Sequence, residues 1–192
     1  GEITAMDAAL GELRKGIRRL GVADNTVLWY CSDNGAIAKG STGGLRARKG
    51  SLYEGGIRVP AIIEWPARIK SNRITNMNAN TSDIYPTLLE LAGAPLPNNQ
   101  PVLDGTSLVP LIEGKPSAWP SRNLFTVWGG TRLQDGRRAV RTDRWRAVNE
   151  KRGWELYDMI ADPSQTRNLA QAKPEVLAKF QIAYGEWISY AV

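Results

Sequence analysis

The stretch Thr26-Val27-Leu28-Trp29-Tyr30-Cys31-Ser32-Asp33-Asn34-Gly35 joins an unbroken apolar run to a polar turn. Its first six residues are β-rich and do not alternate, which predicts a strand covered on both faces, as in parallel sheets. Upstream, Met6, Leu10, Leu13, Ile17 and Leu20 recur at helical spacing, with Glu12, Arg14, Lys15, Arg18 and Arg19 on the other face. That pattern predicts an amphipathic helix ended by Gly21, with Asp24 and Asn25 turning the chain into the strand. Helix, turn and buried strand make half of a βαβ unit, so the chain reads as α/β, with a further strand expected upstream of Gly1.

Downstream, a second apolar strand is expected over residues 61–65, bounded by Pro60 and Pro66. Between the two strands lie Gly40, Gly43, Gly44, Gly50, Gly55 and Gly56, too many glycines for a regular element. A loop this long between buried strands is usually functional. Ser82 or Asp83 is expected to cap a helix with Ile84, Leu88 and Leu91 on one face, Pro86 in its first turn and Gly93 at its end. Residues 94–101 hold three prolines and two asparagines and read as a linker to a short helix over 108–113. β-rich runs at 124–128, 138–141, 145–148 and 154–157 then predict a small antiparallel sheet. A final helix opened by Pro174 places Val176, Leu177, Phe180, Tyr184 and Trp187 on one side, to cover a face of that sheet.

Composition narrows the chemistry. The 192 residues are 42% hydrophobic, ordinary for a chain that buries a core. With no histidine and one cysteine, Cys31, the chain has no Cys/His zinc cluster, no His-based triad and no internal disulfide. What remains is carboxylate, Lys, Arg, Tyr, Ser or Thr chemistry, an oxygen-ligated metal, or residues of another chain. Apolar stretches fall short of the roughly 20 residues of a membrane span. Gly1-Glu2-Ile3-Thr4 does not open a secretory signal, so the chain is expected to be soluble. Its compartment is left open, since a periplasmic or secreted parent would carry its signal further upstream. A net charge of +6 favours anionic partners.

Ligands of open sheets bind beyond the carboxyl ends of strands, where Asp33 and Asn34 fall. Alone, Ser32-Asp33-Asn34-Gly35 also reads as a simple turn. The context is Lys49-Gly50-Ser51-Leu52-Tyr53-Glu54-Gly55-Gly56-Ile57-Arg58-Val59-Pro60, followed by Asp83-Ile84-Tyr85-Pro86-Thr87-Leu88-Leu89. With Leu103-Asp104-Gly105, Glu155-Leu156-Tyr157-Asp158, Asp162-Pro163 and Asn168-Leu169, these motifs resemble the C-terminal half of the sulfatases, the arylsulfatase-like branch of the alkaline phosphatase superfamily. The resemblance covers essentially the whole chain. It implies a partial alkaline-phosphatase-like sheet with flanking helices over residues 1–115, then a small α+β subdomain over 116–192.

The resemblance also implies roles. Asp33 and Asn34 correspond to ligands of a Ca2+ or Mg2+ ion that binds the sulfate oxygens and the nucleophile. Lys49 corresponds to the lysine that binds sulfate and offsets charge on the leaving oxygen. Glu54, Gly55, Gly56 and Arg58 read as scaffold for the loop. Family enzymes use a formylglycine made from Cys or Ser in Cys/Ser-x-Pro-x-Arg. Cys31 is followed by Asp33 and Gly35 at the Pro and Arg places, so it reads as a core thiol. Ala118-Trp119-Pro120-Ser121-Arg122 has alanine at the nucleophile place and reads as coincidence. The paired aspartates and histidines of the family site are also missing. The chain is therefore expected to be one part of a sulfuric ester hydrolase, inactive alone, with a weak or absent metal site and its formylglycine in a missing N-terminal half.

Three rival readings are compatible with parts of the sequence. Phosphonate or phosphate ester hydrolases share the superfamily core. Arg137, Arg138, Arg141, Arg144, Arg146, Lys151 and Arg152 near Trp145 and Trp154 resemble a nucleic-acid surface, but Asp135, Asp143, Glu150 and Glu155 interrupt the run, and strand alternation turns such arginines into solvated faces. No nucleic-acid or membrane partner is expected. Trp128, Trp145 and Trp154 read as packing residues, with a substrate-stacking role as the alternative. The third rival is a non-catalytic assembly domain. Half of a wound sheet exposes an unpaired edge, so the isolated chain is expected to self-associate, by domain swapping among other routes. Light scattering that gave a clean monomer at high concentration would overturn that expectation.

Overall fold

The computed structural model describes residues 1–129, 136–150 and 153–191. Glu2–Arg19 form helix α1, closed by Gly21 at φ +71°. A 3-10 turn over Ala23–Asn25 leads into strand β1, Leu28–Cys31, which pairs with β2, Ala61–Glu64. The pairing is antiparallel, with Trp29 opposite Ile63 and Tyr30 opposite Ile62. This corrects the reading of β1 as a doubly covered strand of a parallel sheet: its residues are half-buried, and no parallel pair occurs among the described residues. An apolar run specifies a covered strand and not the direction of its neighbour. Here residues 32–60 reverse the chain instead of carrying it through a crossover, and a two-stranded ribbon leaves each strand one unpaired edge.

Alternation gives the ribbon two different faces. On one, the Tyr30 hydroxyl donates to Met6 Sδ at 3.1 Å, and Arg14 and Arg18 of α1 reach Glu64 at 2.5 and 3.2 Å. The Arg14 guanidinium holds the Glu64 carboxyl below the usual carboxylate range. Met6, Leu13 and Leu20 of the expected apolar stripe nevertheless remain exposed. On the other face Trp29 and Ile63 join Leu108, Ile112 and Trp119.

A 3-10 turn, Thr81–Asp83, runs into α3, Ile84–Ala92, which Gly93 ends at φ +61°. Asp83 does not cap this helix with its side chain, contrary to expectation. Its fully buried carboxylate instead accepts the backbone N–H groups of Asn80 and Thr106, each at 2.8 Å, and pairs with Arg122. An ionised carboxylate offers about four acceptor positions, so one residue satisfies donors from three segments where a cap would serve one helix. Thr87 Oγ1 donates to Asp83 O and accepts from Leu108 N, which fixes the entry of α4, Val109–Ile112.

The C-terminal sheet is an antiparallel meander in the order β3, Leu124–Trp128; β4, Arg137–Arg141; β5, Trp145–Asn149; β6, Glu155–Asp158. Helix α5, Pro174–Ala191, lays Phe180, Tyr184 and Trp187 over Val140, Ala147 and Leu156 on one face, as expected. The opposite face carries Ala139, Val148 and Tyr157, and these pack on Leu52 and Tyr53 of the long glycine-rich segment. That segment contains one regular element after all, the single helical turn α2, Glu54–Ile57.

Glu54 at the start of α2 is the electrostatic pin of this contact. Its carboxylate lies 2.9 Å from Arg146, 3.4 Å from Arg141 and 3.7 Å from Arg58. Arg146, only 2% exposed, also donates to Leu52 O. Burial lowers the Arg146 guanidinium to about 10, the nearby Glu54 charge opposing that fall, so the group stays charged at neutral pH. Breaking a buried pair strands a charge, a loss of about 3–5 kcal/mol. Arg146→Ala is therefore expected to lower stability by about that amount in urea unfolding followed by tryptophan fluorescence. The double replacement of Glu54 and Arg146 by apolar residues is expected to be milder than the sum of the two singles.

Candidate functional site

Asp33 and Asn34 leave the carboxyl end of β1, Asp33 exposed and Asn34 half-buried. The Asn34 amide donates to the Asp33 carboxylate, and Ser32 Oγ donates to Asn34 O at 3.1 Å. Gly35 N then donates to Gly56 O at 2.8 Å, and Lys49 N to Ala36 O at 3.0 Å. These two backbone bonds lay segment 33–36 against segment 49–56, so the chain brings Asp33, Asn34 and Lys49 to the same end of β1.

The crossing depends on glycine. A Cβ on Gly35 would meet Gly55 O; one on Gly55 would meet the carbonyl oxygens of Arg46 and Ala47; one on Gly56 would meet those of Arg48 and Ser51. These glycines serve close approach of backbone to backbone. The remaining residues of the motif are anchors. Ser51 Oγ donates to Glu150 Oε1 at 2.6 Å, and Leu52 N donates to the same oxygen. Glu54 N donates to Gln165 Oε1 at 2.8 Å.

Arg46, Arg48 and Lys49, just before these anchors, divide accordingly. Arg46 donates to the Tyr157 hydroxyl and to Gln165 O, with its guanidinium 3.9 Å from the Tyr53 ring centroid. Arg48 donates to the carbonyl oxygens of Ile37 and Gly40. The Lys49 ammonium is exposed and makes no hydrogen bond or ion pair to any described residue. Arg46 and Arg48 thus hold the loop, and Lys49 does not.

Asp33 and Asn34 offer one carboxylate and one amide oxygen, hard donors of the kind Ca2+ and Mg2+ take. They fit part of such a site. Among the described residues no group of three or more His, Cys, Asp and Glu is placed to hold a metal, and either ion takes about six oxygens or more. Cys31 is a half-buried free thiol.

The basic run of the C-terminal sheet is a solvated face only in part, a correction to the sequence reading. Arg141 and Arg146 turn inward onto Glu54, and Arg144 pairs with Asp158 at 2.8 Å, which lowers that carboxyl. Arg138 sits near the rings of Trp154 and Tyr184. Lys151, Arg152 and Asp135 lie outside the described residues. Trp145 and Trp154 pack with the α5 cluster. Trp128 does not: it is exposed at the end of β3, against Gly50. Arg137 donates to Gly50 O at 2.8 Å. No local signal links residue 50 to residue 137; only the docking of the loop on the sheet does.

The profile of the family described as N-sulphoglucosamine sulphohydrolase, C-terminal, matches residues 47–182. The chain belongs to this sulfatase family. Human arylsulfatase A is 38% identical to the sulfatase chain over 164 residues, which cover 83% of this chain and 32% of the relative. Arylsulfatase K of Canis lupus familiaris is 33% identical over 182 residues, covering 88% and 32%. The structure of Ps i-CgsB in complex with k-i-k-neocarrahexaose superposes with a TM-score of 0.87 at 26% identity, over 97% of this chain and 41% of that one. Phosphonate monoester hydrolase of Agrobacterium radiobacter superposes at 0.72 and 24% identity over 97% and 38%, a likeness of fold alone. The sulfatase chain thus spans about a third of the length of the curated relatives it matches.

Tyr53 and Tyr157 both donate to Glu155 Oε2 beneath the loop. Burial, and then that hydrogen bond to an anion, push the Tyr53 phenol up to about 12 and raise the Tyr157 phenol as well. An acid whose folded value exceeds its unfolded value of about 10 stabilises the fold fully below pH 10 and loses that contribution as pH rises through the folded value. Stability of the sulfatase chain is therefore expected to hold to about pH 10 and fall toward pH 12. Denaturation midpoints across that range, with phenolate absorbance as the companion signal, check it.

Proposed function

We propose that this chain supplies the metal-and-sulfate side of the active site of a sulfuric ester hydrolase, with the nucleophile on a segment beyond residues 1–192. The observation that carries the reading is the Lys49 ammonium, without a hydrogen bond or ion pair to any described residue, at the same end of β1 as Asp33 and Asn34 and beside Arg46 and Arg48, whose guanidiniums are engaged. In this reading Lys49 binds a sulfate oxygen and offsets charge on the departing oxygen. Asp33 and Asn34 contribute two oxygen ligands for Ca2+ or Mg2+. When bound, that cation supplies positive charge against the sulfuryl oxygens.

No Cys or Ser of the chain stands in Cys/Ser-x-Pro-x-Arg, so the formylglycine belongs to the missing N-terminal partner segment. That segment packs on the open edges of β1 and β2, where Ile62 is 64% exposed. Alone, the chain is inactive, binds the ion weakly if at all, and self-associates through the same edges. Substrates are sulfate esters, aryl or carbohydrate. Two named relatives are arylsulfatases, and one structural relative is complexed with an oligosaccharide. No helix among the described residues is long and apolar enough to cross a membrane. A periplasmic or secreted parent suits the reading.

The test uses the longer protein that contains this chain. It is expected to cleave 4-nitrophenyl sulfate in preference to a phenyl phosphonate monoester, and to lose the activity to a chelator. Lys49→Ala is expected to lower kcat/KM about 10²- to 10³-fold, the range for removing one donor to a developing anion. Asp33→Asn is expected to raise the concentration of Ca2+ or Mg2+ needed to restore the chelated enzyme. Preference for the phosphonate would replace this reading with phosphonate hydrolysis.

A further inference from the structure

We infer that Trp128 and Arg137 form a subsite beside Lys49 that selects sulfated sugars carrying a second anion, a carboxylate or another sulfate; this rests on the sulfatase reading above. The two residues are direct register partners at the end of the β3–β4 pair. The Arg137 guanidinium lies 3.9 Å from the Trp128 ring centroid, and its Nη1 donates to Gly50 O at 2.8 Å. The six-membered ring of Trp128 lies 3.4 Å from where a Cβ on Gly50 would stand. Gly50 directly follows Lys49. The tip of the C-terminal sheet therefore reaches across the fold to touch the residue next to the proposed sulfate-binding ammonium.

Packing does not account for this indole. Trp145 and Trp154 of the same sheet are half-buried against α5, whereas Trp128 is 46% exposed and belongs to none of the core clusters. An indole surface takes the C–H face of a pyranose. A planar guanidinium gives a carboxylate or sulfate two parallel donors. The guanidinium stacks on the indole and spends Nη1 on Gly50 O, so a sugar laid on the exposed part of Trp128 brings an anionic substituent to the remaining Arg137 donors. A neutral aromatic or steroid ring would use the indole and leave those donors unused, so the pair favours an acidic sugar over an aryl or steryl group.

The experiment measures selectivity in the longer protein that contains this chain. The ratio of kcat/KM for a sulfated, uronate-containing disaccharide to that for 4-nitrophenyl sulfate is compared between wild type, Trp128→Ala and Arg137→Met. Both variants are expected to lower the ratio at least ten-fold, through KM for the disaccharide. Arg137→Lys, which keeps the charge without the planar fork, is expected to recover part of the loss. A ratio unchanged within two-fold, including the case where both activities fall together, assigns Trp128 and Arg137 to packing and overturns the subsite alone. A wild-type protein that cleaves neither sulfate overturns the sulfatase reading and the subsite with it.

Discussion

The buried carboxylate of Glu54 is the contact on which the rest of the arrangement turns. It lies five residues after Lys49 and is gripped by Arg141 and Arg146, which come from adjacent strands of the C-terminal sheet. Ion pairs at the surface contribute little, but a charge removed from water must keep its partner. The register of the loop on the sheet is therefore specified by electrostatics as well as by the packing of Leu52 and Tyr53. Nε of both arginines is buried without a hydrogen bond among the described residues, so the pairing is tight without being saturated.

From that pin the geometry of the candidate site follows. Tyr157, Glu150 and Gln165 hold the chain at Arg46, Ser51 and Glu54, and Gly35, Gly55 and Gly56 let three backbone segments cross within hydrogen-bonding distance. Most of the Lys49–Pro60 motif consists of anchors, and the role proposed for it rests on one exposed ammonium. A flexible lysine is a weak ligand unless its backbone is fixed. Here the Lys49 amide is bonded to Ala36, two residues past Asn34. Asp83 performs the corresponding task for the segments around residues 80, 106 and 122. It is buried, shared among three donors, and tied to Arg122.

The same logic redistributes the positive charge. Charge counting along residues 137–146 suggests an anion-binding surface, yet Arg141, Arg144 and Arg146 are committed to Glu54 and Asp158. Lys49 stays near solvent, and Arg137, stacked on Trp128, reaches the following residue, Gly50. The net charge of +6 is therefore a poor guide to which cations are exposed to a ligand.

Periodicity and punctuation were enough to locate nearly every element. The apolar spacing of α5, the β-rich runs of the meander and Gly93 after α3 are local signals, because helix and strand periods are set by neighbouring residues. The three ordered motifs likewise marked Asp33, Asn34 and Lys49 and the family they belong to. Other features were invisible from the sequence: the antiparallel pairing of β1 with β2, the burial of Arg141 and Arg146, the use of Asp83 as a hub instead of a cap, and the meeting of Trp128 and Arg137 with Gly50. Each joins residues far apart in the chain, and no local preference encodes which distant partner satisfies a buried charge or which way a neighbouring strand runs. Residue type and spacing determined the family and the candidate site; only packing decided which charges are spent on holding the fold and which are left exposed.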